Sequence, residues 1–108
     1  MTVRELLEQG FTEVTIPEPD REIRGAYMGD LLSWVMGRCR EDAAWLTIMS
    51  NVNVIAVASL ANPAVVVLTE GVTLPDEIRI LAESKGVNVV STELPSYEAA
   101  VELSKLIS

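Results

Sequence analysis

The sequence has no histidine, one cysteine (Cys39) and only 5% aromatic residues. Without histidine there is no Cys/His zinc site, no Ser–His or Cys–His nucleophile pair and no haem ligated by imidazole. A lone cysteine rules out an internal disulfide. Basic side chains are also scarce, with 8 Lys and Arg against 16 Asp and Glu, for a net charge of -8. Affinity for a phosphate backbone comes largely from cations that neutralise phosphates, so this balance argues against a nucleic-acid partner. The Gly-rich dinucleotide fingerprint, the P-loop and the G-x-S-x-G elbow are all missing, and with them the minimum chemistry of those three classes. A phosphoacceptor receiver domain needs an acidic pair after its first strand and an aspartate after its third. Val14-Thr15-Ile16 and Thr47-Ile48-Met49 supply neither. No low-complexity stretch, linker or long-period repeat interrupts the chain.

What is present is a chain of 108 residues, 49% hydrophobic, with a mean hydropathy of +0.30. That length holds one domain, residues 1–108, and buries roughly two-thirds of its unfolded surface, enough to fold without a metal, cofactor or cross-link. The opening Met1-Thr2-Val3-Arg4-Glu5 lacks the basic run and apolar core of an export signal, so a cytoplasmic location is expected. No charge occurs from Ala43 to Thr69, long enough to span a bilayer. Ser50, Asn51, Asn53, Asn62 and Pro63 divide that run into pieces of strand and short-helix length, so it reads as a buried β-α-β unit and no membrane partner is expected.

Apolar spacing and caps give an alternating series. Thr2-x-x-Glu5 is a capping box that opens a helix ending at Gly10. Phe11–Ile16 is a strand, Pro17–Asp20 a loop, and Ile23–Met28 a weaker strand. Asp30 is the expected N-cap of a helix from Leu31 to Cys39, whose core stripe is Leu32, Val35, Met36 and Cys39. Ala44–Met49 is a strand with Trp45 and Met49 in the core. Ser50 or Asn51 caps a helix through Leu60, and its lack of a polar face predicts cover on both sides. Ala64–Leu68 has the unbroken apolar pattern of a central parallel strand. A helix opened by Thr73–Asp76 carries Ile78, Leu81 and Ala82 on one face and stops at Gly86. Val87–Val90 is a short strand, and a last helix from Ser96 to Ile107 buries Ala99, Ala100, Leu103 and Leu106. The expected fold is a three-layer α/β/α domain around a mainly parallel, five-stranded sheet.

In such sheets ligands bind beyond the carboxyl ends of the strands. That edge collects the candidate ligand-binding residues Ser50, Asn51, Asn53, Thr69, Glu70, Gly71 and Thr92. Two readings stand for each group: Ser50 and Asn51 cap a helix or present its N–H groups to an anion, and Thr69-Glu70-Gly71 is a bare turn or a ligand loop. Asp30 has no general base paired with it, so no catalytic residue is assigned and no enzyme activity is expected. Leu31 and Trp34 form a second apolar pair beside the core stripe. They are either core or the candidate interface of a homodimer, where large aromatics are favoured anchors.

Four segments carry a family resemblance: Tyr27–Ser33, Asn53–Ala58, Val66–Gly71 with Pro75-Asp76-Glu77, and Ser91–Glu98. Together they resemble the DRTGG domain family over nearly the whole chain. Relatives include a module of some phosphate acetyltransferases, a partner of CBS domains, and stand-alone proteins, some encoded beside iron hydrogenases. The resemblance implies a fold similar to the N-terminal domain of HPr kinase/phosphorylase. It further implies a regulatory or ligand-binding role without catalysis. The expected function is a regulatory or interaction module, dimeric and with a protein partner in a metabolic or redox pathway; the alternative is a domain that senses a nucleotide or phosphorylated metabolite at the carboxyl ends of the strands. Of the family's Thr-Gly-Gly, Thr69 and Gly71 remain while Glu70 replaces the middle glycine. The family's Asp-Arg is absent from Ser50-Asn51-Val52-Asn53.

Overall fold

In the computed structural model, which describes residues 1–107, strands and helices alternate as the apolar pattern predicts. Helix α1 (Val3–Leu6) runs into a single 3-10 turn, then come β1 (Thr12–Thr15), β2 (Ala26–Met28), α2 (Leu32–Arg38) and β3 (Ala44–Thr47). The second half adds α3 (Val52–Ala61), β4 (Val65–Leu68), α4 (Asp76–Ser84), β5 (Val89–Ser91) and α5 (Ser96–Ile107). One five-stranded sheet has the order β1-β5-β4-β3-β2. Strands β2 to β5 are parallel and β1 closes the β5 side antiparallel.

Strand β4 is central and wholly buried, and its pleat feeds two cores. Val66 and Leu68 pack with Trp45, Val35, Ile55 and Ala82 under α2, α3 and α4. Val65 and Val67 pack with Leu46, Leu6, Ala99 and Leu103 under α1 and α5. An unbroken apolar run is what a strand covered on both faces requires. The α/β/α layering follows from those two cores.

Local expectations are corrected at four places. Asp30 does not cap α2; Leu31 occupies that position, and the Asp30 carboxylate accepts instead from Thr47 Oγ1 at 2.7 Å and from the Ile48 N–H at 2.9 Å. Met36 leaves the core stripe and is exposed, because α2 is only two turns long and meets the sheet through Val35 and Cys39. Helix α3 is covered on one side: Val54, Ile55 and Ala58 are buried, whereas Val52 and Leu60 face outward. In β1, Thr12 and Glu13 pair with Ser91 and Val90, but Thr15 pairs with Val89, so Val14 is an extra residue. That bulge reverses the alternation and buries Thr15, whose hydroxyl has no hydrogen-bond partner.

Candidate functional site

Two turns meet at the carboxyl ends of β4 and β5. After β4, Thr69 is fully buried and its hydroxyl lies 2.6 Å from that of Ser96, the first residue of α5. Glu70 and Gly71 then both adopt left-handed backbone, with φ of 61° and 71°. The turn is pinned by the Glu70 N–H donating to Leu94 O at 2.9 Å and the Gly71 N–H to Thr92 O at 3.0 Å. A Cβ on Gly71 would stand 2.6 Å from Glu93 Oε2, so both backbone and space call for glycine there. Thr92 is buried and its hydroxyl accepts from the Leu94 N–H at 3.2 Å. Glu70 turns back so that Oε2 accepts from the Ser96 N–H at 2.8 Å. A carboxylate at the positive end of a helix is favourable.

Thr69, Glu70, Gly71 and Thr92 therefore form one group. Ser96 completes it and was missed, because its role depends on a side chain 27 positions away in sequence. Ser50, Asn51 and Asn53 lie at the end of the neighbouring β3. Asn51 is the N-cap of α3, its side chain accepting from the Asn53 N–H at 2.9 Å. Thr47 Oγ1 holds the turn before it by accepting from the Met49 N–H at 3.1 Å while donating to Asp30. Among the described residues, no side-chain hydrogen bond joins the two groups. What links them is the Thr69 N–H donating to Thr47 O at 3.2 Å.

The same end of the molecule carries an apolar face. Leu31 is 58% and Trp34 52% exposed, and Met28 at the end of β2, Ile48 just after β3 and Val52 at the start of α3 are exposed as well. The Asp30 bond to the Ile48 N–H brings those segments together. The other tryptophan contrasts with this. Trp45 is fully buried and donates its indole N–H to Gly29 O at 2.9 Å. Among the described residues, no group of three or more His, Cys, Asp or Glu is placed to hold a metal ion. No helix there is long and apolar enough to cross a membrane.

No curated protein matches the chain significantly. Among solved structures it is similar to the CBS and DRTGG domains of the regulatory region of Clostridium perfringens pyrophosphatase, crystallised with the activator diadenosine tetraphosphate. The TM-score is 0.63 at 21% identity, over 96% of this chain and 44% of that one, so the present chain spans less than half of that regulatory region. The family model of the DRTGG domain matches residues 31–106. Those residues take in α2 through α5, both strand-end turns and most of the apolar face, and on that match the chain belongs to the DRTGG domain family.

Proposed function

We propose that this chain is a non-catalytic regulatory module that works as a homodimer through the α2 face, with Leu31 and Trp34 at its centre. The carrying observation is that the α2 segment leaves Leu31, Trp34 and Met36 exposed, in a domain that fully buries its only other tryptophan. Covering about 100 Å² of indole stabilises by about 2.5 kcal/mol at roughly 25 cal/mol per Å². In a two-fold interface each protomer contributes the same patch, so that gain occurs twice. A cytoplasmic setting and a protein client in a metabolic or redox pathway complete this reading; nucleic acid and membrane are not partners in it. The test is Trp34→Glu, followed by light scattering and circular dichroism. The wild type is expected to be dimeric at tens of micromolar and the variant a folded monomer. A monomeric wild type at that concentration overturns the reading.

A second reading is favoured by one observation, the convergence of Thr69, Glu70, Gly71 and Thr92 at the strand ends. In it the module senses a nucleotide or phosphorylated metabolite there, as a regulatory region bound to a nucleotide activator suggests by analogy. Glu70 then acts as an internal competitor, because its carboxylate already occupies the α5 N-terminus and repels a second anion. A thermal-shift panel of nucleotides and phosphorylated metabolites tests it, with stabilisation growing as RT ln(1 + [L]/Kd). The absence of any shift across the panel leaves the interaction reading alone.

A further inference from the structure

The chain has only 8 basic residues, and four of them are neutralised locally. Arg4 pairs with Asp20, Arg21 with Glu18 and Asp42, Arg79 with Asp76, and Lys105 with Glu102. Among the described residues, Arg24, Arg38, Arg40 and Lys85 have no carboxylate partner. Three of these four line one cleft of about 290 Å³ together with Gly25, Ala26, Tyr27 and Ala43. It lies at the amino ends of β2 and β3, the opposite edge of the sheet from Thr69 and Thr92. Three arginines on one concavity with no carboxylate in its lining make a positive spot on a protein of net charge -8, and such a spot attracts an anion.

We propose that Arg24, Arg38 and Arg40 form a binding site for the phosphoryl group of a small metabolite. Cations near the end of a helix offset its dipole, and Arg38 and Arg40 alone would need no other explanation. Arg24 stands on a different element, just ahead of β2, where its N–H is fixed to Asp42 O at 2.7 Å. The carboxylate of Asp42 is held by Arg21 at 2.9 Å, which leaves the three guanidiniums of the cleft without an internal counter-charge. Guanidinium forks match phosphate oxygens two at a time, giving the stronger, charge-assisted class of hydrogen bond. Tyr27 adds a phenol to the lining. The volume lies at the small end of the roughly 300–1,000 Å³ usual for ligand pockets, which suits a phosphate monoester or a diphosphate rather than a dinucleotide.

The test uses inorganic pyrophosphate as the probe, titrated calorimetrically at constant ionic strength into wild type, Arg24→Gln, Arg40→Gln, Lys85→Gln and Glu70→Gly. Circular dichroism confirms that these surface variants fold. Saturable binding to the wild type is expected, weakened about tenfold or more by either arginine change, since one hydrogen bond to a charged group is worth about 1.5–3 kcal/mol. Lys85→Gln should bind as the wild type does, whereas binding that tightens in Glu70→Gly and is indifferent to the arginine changes belongs to the strand-end site and overturns the proposal. The proposal fails if pyrophosphate shows no saturable binding at millimolar concentration or binds the arginine variants equally well. A hexaglutamate peptide that binds more tightly than pyrophosphate also overturns it and marks the cleft as a docking point for an acidic protein segment.

Discussion

Arg38 holds its guanidinium 3.8 Å from the centroid of the Trp34 ring, so the last residue of α2 belongs both to the basic cleft and to the apolar face. An exposed cation–π contact is worth only about 0.5–1 kcal/mol. A phosphoryl group competing for the same guanidinium can therefore draw it off the ring. Pyrophosphate is expected to change the emission of the half-exposed Trp34, while the buried Trp45, with its indole N–H committed to Gly29 O, stays silent. In Arg38→Gln that spectral response should vanish. Fluorescence titration of wild type, Arg38→Gln and Trp34→Phe decides it, and an equal response in Trp34→Phe would show that the signal arises elsewhere.

Asn88 ties the loop after β1 to the amino ends of β4 and β5. It is buried, and its side chain donates to Glu18 O at 2.8 Å and Ala64 O at 2.9 Å while accepting from the Glu18 N–H at 2.9 Å. Asn88→Leu removes all three bonds; Glu18 O keeps the Arg21 N–H at 3.3 Å, but the Glu18 N–H and Ala64 O lose this partner, and each unsatisfied buried group costs about 1–3 kcal/mol. Asn88→Leu should lose about 2 kcal/mol or more in urea unfolding. Asn88→Asp should lose a similar amount, because a carboxylate cannot donate to two carbonyls. A change of less than about 1 kcal/mol in both means that water replaces the amide.

Much of this was legible from local patterns. The unbroken run Ala64–Leu68 announced a central strand, and the alternation of short apolar runs with caps announced the layers, because burial on both faces leaves no room for polar residues. What was illegible depended on partners distant in sequence. Asp30 looked like a cap, yet its carboxylate serves Thr47 and Ile48, 17 and 18 positions away. Met36 has the spacing of a core position, but that rule assumes a helix longer than the seven residues of α2. Within the strand-end group, Thr69, Glu70, Gly71 and Thr92 could be listed as polar residues after strands. That Glu70 reaches back to Ser96 could not. The basic cleft was hidden by the net charge, since counting cations says nothing about which of them the fold pairs. Asn88 sat in plain view as the polar residue of Val87–Val90, and only the fold supplies its three partners.

Cys39 is buried at the end of α2, and burial pushes its thiol pKa up from the ordinary value. A group whose folded pKa exceeds its unfolded one contributes stability that is complete below the unfolded value, about 8.5 for a thiol, and lost as pH rises through the folded value. Wild type should therefore lose stability relative to Cys39→Ala as the pH rises above the unfolded thiol value of about 8.5. Urea midpoints of both proteins across that range give the comparison. The native thiol should also label slowly at neutral pH, since the thiolate is the reactive form. Parallel curves and fast labelling would together mean that the thiol is solvated.

Glu70 combines two opposed effects whose separation is the sharpest test of the strand-end turn. Its left-handed backbone at φ 61° costs a non-glycine residue about 1–2 kcal/mol, while its carboxylate satisfies the Ser96 N–H at the start of α5, worth about 1 kcal/mol as a cap. Glu70→Ala keeps the strain and loses the cap, so it should destabilise by about 1 kcal/mol. Glu70→Gly loses the cap but removes the strain, less the roughly 0.5–1 kcal/mol entropic cost of glycine, and should lie close to wild type. Urea unfolding of the three proteins measures the difference. The Ser96 N–H is freed in both variants. If the strand ends take a phosphorylated ligand, thermal stabilisation by that ligand should be larger in Glu70→Gly than in wild type, because the competing carboxylate is gone and the turn keeps its shape. Should Glu70→Gly be as unstable as Glu70→Ala, the left-handed strain is negligible and the carboxylate alone fixes the turn. Should no phosphorylated ligand stabilise Glu70→Gly beyond wild type, the strand-end group is a structural joint between β4 and α5.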